Sequence, residues 1–193
     1  MSNSVTSVSL LQRVKDPRDE MAWGEFVRLY APLVYSYGRK RGLQDSDAAD
    51  LAQDVLRIAA EKMDNFQYDP ARGSFRGWLL TVTLNQLRRL SKSHQDRGTG
   101  RSSIVTLLHQ QPTKQEETSW DVESKTQILR WASEQVCSEF KPQTWQAFLL
   151  TAVQQIPAAE VASQLRMSVG SVYVAKSRVI NRLREKVSFV AAE

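Results

Sequence analysis

The sequence predicts an all-α protein built as two small helical domains joined by a flexible linker, the second a four-helix domain with a helix-turn-helix. Three observations predict it. Apolar residues recur at helical spacing along most of the 193 residues, and no run alternates apolar with polar residues around a hairpin signal. The stretch 91–119, "SKSHQDRGTGRSSIVTLLHQQPTKQEETS", breaks that periodicity with Ser, Thr, Gln, Gly and charge, as a tether does. Finally, "PAAEVASQLRMSVGSVYVAKSR" reads as a short helix, a tight turn and a serine-capped second helix.

Taken in order, residues 1–8 are Ser/Asn/Thr-rich and expected to fray, and 9–15 make a short helix ended by Pro17. Residues 19–41 form a longer helix with Trp23, Phe26, Val27, Tyr30, Val34 and Tyr37 along one side, closed by Gly42. Helices follow at 46–64 and 75–91. After the linker they resume at 121–139, with Pro142 starting another over 142–154 and two more at 157–166 and 169–188. The expected domains are therefore 1–90 and 121–193, with 91–120 between them.

Lys plus Arg number 26 against 21 Asp plus Glu, a net charge of +5 that fits a nucleic-acid partner if the charge is suitably distributed. Cys137 is the only cysteine, so neither an internal disulfide nor a thiolate zinc site can form, and it is expected to be a small buried residue in a reduced compartment. No stretch reaches the roughly 18 apolar residues of a membrane span. No basic start followed by an apolar run marks a secretory signal either, and a soluble cytoplasmic protein is expected.

Charge is distributed unevenly. From 141 onward there are seven basic residues against three acidic. On a wheel of about 100° per residue, Val172, Val179, Leu183 and Val187 share one arc of the last helix. Ser171, Tyr173, Val174, Ser177, Arg178 and Asn181 share the opposite one. Arg suits guanine and apolar groups suit the thymine methyl. Lys176 falls on the flank of the core arc, where its stem packs and its amine snorkels. Arg182 is grouped with the DNA-contacting set. The turn carries Arg166 where such turns usually carry glycine; either that residue is left-handed, at a cost of about 1 kcal/mol or more, or the turn is altered.

In the fourth helix Leu79, Val82, Leu87 and Leu90 form the expected buried arc, while Trp78, Thr81, Asn85, Arg88 and Arg89 share the other. An exposed aromatic beside an amide and cations suits melted DNA, the ring stacking on an unstacked base. Upstream, Phe66, Tyr68 and Phe75 surround a Pro/Gly loop, Phe66 and Phe75 reading as core. The third helix has the opposite sign. Asp47, Asp50, Asp54, Arg57 and Glu61 form one stripe over Leu51, Val55 and Ala59, which implies a basic protein partner or a solvated face. No histidine lies near these carboxylates, so no metal and no cofactor are expected.

"DAADLAQDVLRIA", "GSFRGWLLTVTLNQLRR" and "PAAEVASQLRMSVGSVYVAKSRVINRLRE", in this order and spacing, resemble stretches of bacterial RNA polymerase sigma factors of the small, two-domain extracytoplasmic-function type. The resemblance covers residues 9–90 and 121–187. It implies that Asp50, Gln53, Asp54 and Arg57 grip the clamp of core polymerase. It further implies that Asn85 and its neighbours, with the loop before Phe75, melt and capture the −10 element, and that Tyr173, Val174, Ser177 and Arg178 read the −35 element. Members are often held by an anti-sigma protein, so that partner is kept open. Leu84 stands where relatives often carry a basic residue, which shifts weight to Arg88 and Arg89. The reading is a promoter-specificity subunit and not an enzyme. Two rivals remain: a helix-turn-helix regulator binding duplex DNA only, and a magnesium-dependent DNA-cutting enzyme using Asp47, Asp50 and Asp54.

Overall fold

The computed structural model describes residues 10–16, 18–63, 74–96 and 112–191. The loop bearing Phe66 and Tyr68, and residues 97–111, lie outside the described residues. Among those described the chain is helices and turns, with no strand. The helices are α1 (Leu10–Val14), α2 (Glu20–Lys40), α3 (Asp45–Met63), α4 (Phe75–Asp96), α5 (Lys114–Cys137), α6 (Pro142–Phe148), α7 (Ala158–Leu165) and α8 (Val169–Ala191). They divide into two units, one running to Gln127 and the other covering Ile128–Ala192.

In the first unit, α2 and α3 form a helical hairpin across a four-residue connection. Gly42 makes the turn with φ at +84°, a conformation that costs glycine little. Gly38 lets the two helices close up, because a Cβ there would meet Leu51 Cδ2 at 2.9 Å and Leu43 Cδ1 at 3.1 Å. Phe26, Leu29, Tyr30, Val34 and Tyr37 of α2, Leu51, Val55 and Ala59 of α3, and Phe75, Leu79 and Leu87 of α4 are all buried, with α3 packed on both α2 and α4 and Phe75 against Phe26 and Tyr30. Burying a large apolar side chain is worth about 1.5–3 kcal/mol each, so this one cluster dominates the stability of the unit. The expected inner residues of α3 are all buried, and Phe75 is core as read from the sequence.

Three expectations need correction here. Helix α4 runs five residues past 91, to Asp96, and α5 begins at Lys114, so the polar stretch 91–119 is helical at both ends. The break at 120 is also displaced. Trp120, 1% exposed, meets Tyr37 of α2 edge-on at 4.9 Å, which draws the start of α5 into the first unit. Polar composition hid this because one buried indole carries the packing.

The second unit comprises the end of α5, then α6, α7 and α8. Ala147, Val161, Ala162, Val172 and Ala175 form its centre, with Leu150, Ile156, Leu165 and Met167 packed around them. Trp131, Val136, Val179 and Leu183 extend the core. The helix expected over 142–154 is two pieces: after Phe148 it widens into a π turn over Leu149–Val153, closed by Gln154 N–H on Leu149 O at 3.0 Å. Cys137, expected to be buried, is half-exposed at the end of α5.

Candidate nucleic-acid and polymerase interface

The turn between α7 and α8 is built as a left-handed helix stop. Arg166 sits at φ +51°, ψ +46°. Met167 N–H donates to Ala162 O at 2.9 Å, the six-to-one bond of a Schellman motif. The turn is thus unaltered and the residue carries the strain. Ser168 caps α8, its Oγ accepting from Ser171 N–H at 3.0 Å, with Ser171 Oγ a further 2.8 Å partner.

From that start α8 presents one face to the core and one to solvent. Val172, Val179 and Leu183 are buried; Val187 is half-buried. Ser171, Tyr173, Val174, Ser177, Arg178 and Asn181 are exposed, Tyr173 at 60% and Val174 at 50%. These are large apolar groups left in water with no intramolecular cause. Lys176 is half-buried, as its flank position implies. Arg182 stands apart from this set. Its Nη2 donates to Glu139 at 3.0 Å and its Nη1 to Glu185 at 2.8 Å, so its charge is committed inside the unit. The Arg182 guanidinium holds the Glu139 carboxyl below the usual carboxylate range. A groove of about 450 Å³ runs between α6 and α8, lined by Thr144, Ser168, Gly170, Ser171, Val174 and Arg178 among others. Thr144 was missed by sequence reasoning, because nothing in "KPQTW" signals that α6 begins beside the α8 N-terminus.

The second face belongs to α4. Ser74 starts the helix, its Oγ accepting from Gly77 N–H at 3.1 Å. Its buried side is wider than the arc expected: Leu80, Thr83, Leu84 and Gln86 are buried, while Val82 and Leu90 are only half-buried. Leu84 therefore belongs to the core, and a cation there would have to be desolvated. The opposite side, expected to be exposed, is so only in part. Thr81, Asn85 and Arg89 are exposed; Trp78 and Arg88 are half-buried. Trp78 leans on Phe75 with ring centroids 5.4 Å apart, and Arg88 Nη1 donates to Asn85 Oδ1 at 3.0 Å. An aromatic ring, an amide and two cations thus lie along one side of α4.

On α3, Asp50 and Gln53 are exposed. Arg57 bridges Asp54 at 3.3 Å and Glu61 at 2.8 Å along the outer face. Among the described residues no group of three or more His, Cys, Asp or Glu side chains is placed to hold a metal ion, and no helix is long and apolar enough to cross a membrane.

Residues 26–97, the α2–α4 segment, match the family described as Sigma-70 region 2. The fold and this segment define the class: an all-helical protein carrying a sigma-70 region 2 domain. The chain is 36% identical over 90 residues to the ECF RNA polymerase sigma factor RpoE of Cereibacter sphaeroides, an alignment covering 47% of this chain and 48% of that protein. It is 32% identical over 79 residues to RNA polymerase sigma factor NccH of Alcaligenes xylosoxydans xylosoxydans, covering 41% of each. With RNA polymerase sigma factor CnrH of Cupriavidus metallidurans the identity is 26% over 174 residues, 88% of this chain and 86% of the relative. The alignments thus span about half the length of the first relative, less than half of the second and most of the third. These relatives are all named as RNA polymerase sigma factors, the first of the extracytoplasmic-function type, and the chain is similar to them.

Proposed function

We propose that this chain directs core RNA polymerase to specific promoters and assists DNA opening at initiation. The observation that carries it is the α4 face, with Trp78, Thr81, Asn85, Arg88 and Arg89 presented on one side of a helix inside the region 2 segment. An aromatic platform flanked by cations gains its binding energy from bases that are already unstacked, about 1–3 kcal/mol per base. A second face on α8, in the other unit, offers Ser171, Tyr173, Val174, Ser177 and Arg178 to a major groove as the −35 reader. The exposed Asp50, Gln53 and Arg57 of α3, with half-buried Asp54 between them, are the docking surface for the clamp of the polymerase. Catalysis belongs to the polymerase, and the site of action is the cytoplasm, where polymerase and chromosome meet.

Permanganate footprinting and filter binding on duplex and premelted promoters test the reading. Trp78→Ala and Asn85→Ala are expected to reduce open-complex formation while leaving closed-complex binding near wild type. Equal losses of both would assign Trp78 to the fold alone. Tight binding to a duplex site without polymerase, with no transcription, would favour a simple helix-turn-helix regulator.

A further inference from the structure

The start of α5 carries a contact that the promoter-opening reading leaves unused. Its first turn is closed by a capping box: Glu116 N–H donates to Thr113 Oγ1 at 3.2 Å and Thr113 N–H to Glu116 Oε2 at 3.0 Å. The same carboxylate accepts from Arg41 Nη2 at 3.3 Å. The Arg41 guanidinium lies 3.4 Å over the Tyr37 ring, and Lys40 pairs with Glu123. Apolar side chains are scarce in this half of the helix. Val122 is 59% exposed, and Trp120 is the buried apolar side chain there. A buried indole N–H needs an acceptor, and Trp120 Nε1 donates to Arg76 O at 3.0 Å.

Arg76 lies in the first turn of α4, two residues before Trp78. First-turn carbonyls are served by the helix itself, so this bond is not a cap and adds a lateral tie. Gly77 follows directly, and a glycine in a helix loosens it by about 1 kcal/mol relative to alanine. Ser74, by its hydroxyl, and Phe75, whose ring packs edge-on against Phe26 and Tyr30 at 5.8 and 5.4 Å, also hold this turn.

We infer that Trp120 is a positioning residue for promoter opening: through Arg76 O it fixes the first turn of α4 and so sets where Trp78 stands for a flipped base. The inference rests on the reading of α4 as the melting face. Placement of such a platform must hold to about 0.5 Å to be productive, and the lateral hydrogen bond at its root adds to that constraint.

Trp120→Phe keeps a ring in the site and removes the donor. Replacement of Trp120 by benzothienylalanine keeps the indole shape without the N–H, and serves if phenylalanine disturbs the fold. In holoenzyme with the full chain, each is expected to weaken binding of a fluorescent single-stranded non-template −10 oligonucleotide by about threefold to tenfold, the equivalent of one hydrogen bond. Affinity for core polymerase and for a −35 duplex should not change. In a Trp78→Ala background the loss should vanish, since a residue acting through Trp78 has nothing left to position. Unchanged oligonucleotide affinity, an equal loss in both backgrounds, or parallel loss of core binding would overturn the assignment. If Trp78→Ala itself leaves the oligonucleotide affinity intact, the α4 reading fails first and takes this one with it.

Discussion

Arg166 shows how a residue that looks wrong in a sequence can be right in a fold. The turn before α8 needs a left-handed residue, and an L side chain there costs about 1–2 kcal/mol. The chain accepts that cost at φ +51° while keeping the Met167–Ala162 bond. Arg166→Gly is therefore expected to stabilise the second unit by about 1 kcal/mol, and Arg166→Ala to leave it unchanged, as read by urea unfolding. Leu84 makes the converse point. Its difference from related sequences was visible, but its burial was not, because the periodic arc taken for the core was too narrow. Arg178 and Lys176 divide by exposure. Arg178→Ala is expected to cost about 1–3 kcal/mol and to relax preference at one −35 position. Lys176→Ala should weaken binding slightly and evenly across sequences; upstream-element selection with each variant distinguishes them.

At the scale of elements, α2, α3, α7 and α8 were legible because the buried residues of each recur at helical spacing, which periodicity records. Helix α5 was not. Its first half serves one unit through Trp120 and its second serves the other through Ile128 and Trp131, so no one stripe marks its buried side. The π turn after α6 also left no trace in composition. The acidic face of α3 carries its own expectation. Asp50→Lys with Asp54→Lys should weaken core binding sharply, most at low salt where exposed charges are least screened, with the helical spectrum retained; a pull-down at two salt concentrations measures it. A pH test belongs to the tie between α8 and the end of α5. The Glu139 carboxyl is depressed from its ordinary 4.5 by Arg182. The stability it contributes is present above that ordinary value and lost as pH falls through the lower folded one. Glu139→Gln should thus destabilise the second unit by about 1 kcal/mol or less at neutral pH, and the difference should disappear in acid unfolding series.

Over the whole molecule, the proposed division of labour follows the division of charge. Carboxylates line the outer face of α3, cations and an aromatic line α4, and a basic, apolar-tipped helix ends the second unit. The two faces proposed for DNA stand out in the sequence by residues that depart from the polar-out rule: Tyr173 and Val174 are exposed and Trp78 is half-buried. The tie between Trp120 and Arg76 was illegible because it joins residues 44 apart across residues 97–111. The central claim is that this chain confers promoter choice on polymerase. Run-off transcription on a random promoter library, with core polymerase alone and with core plus this chain, tests it most directly. The account predicts chain-dependent transcripts sharing an upstream and a −10 element, lost in the Trp78→Ala, Asn85→Ala double variant. Transcripts identical with and without the chain, from a protein that still binds core, would contradict it.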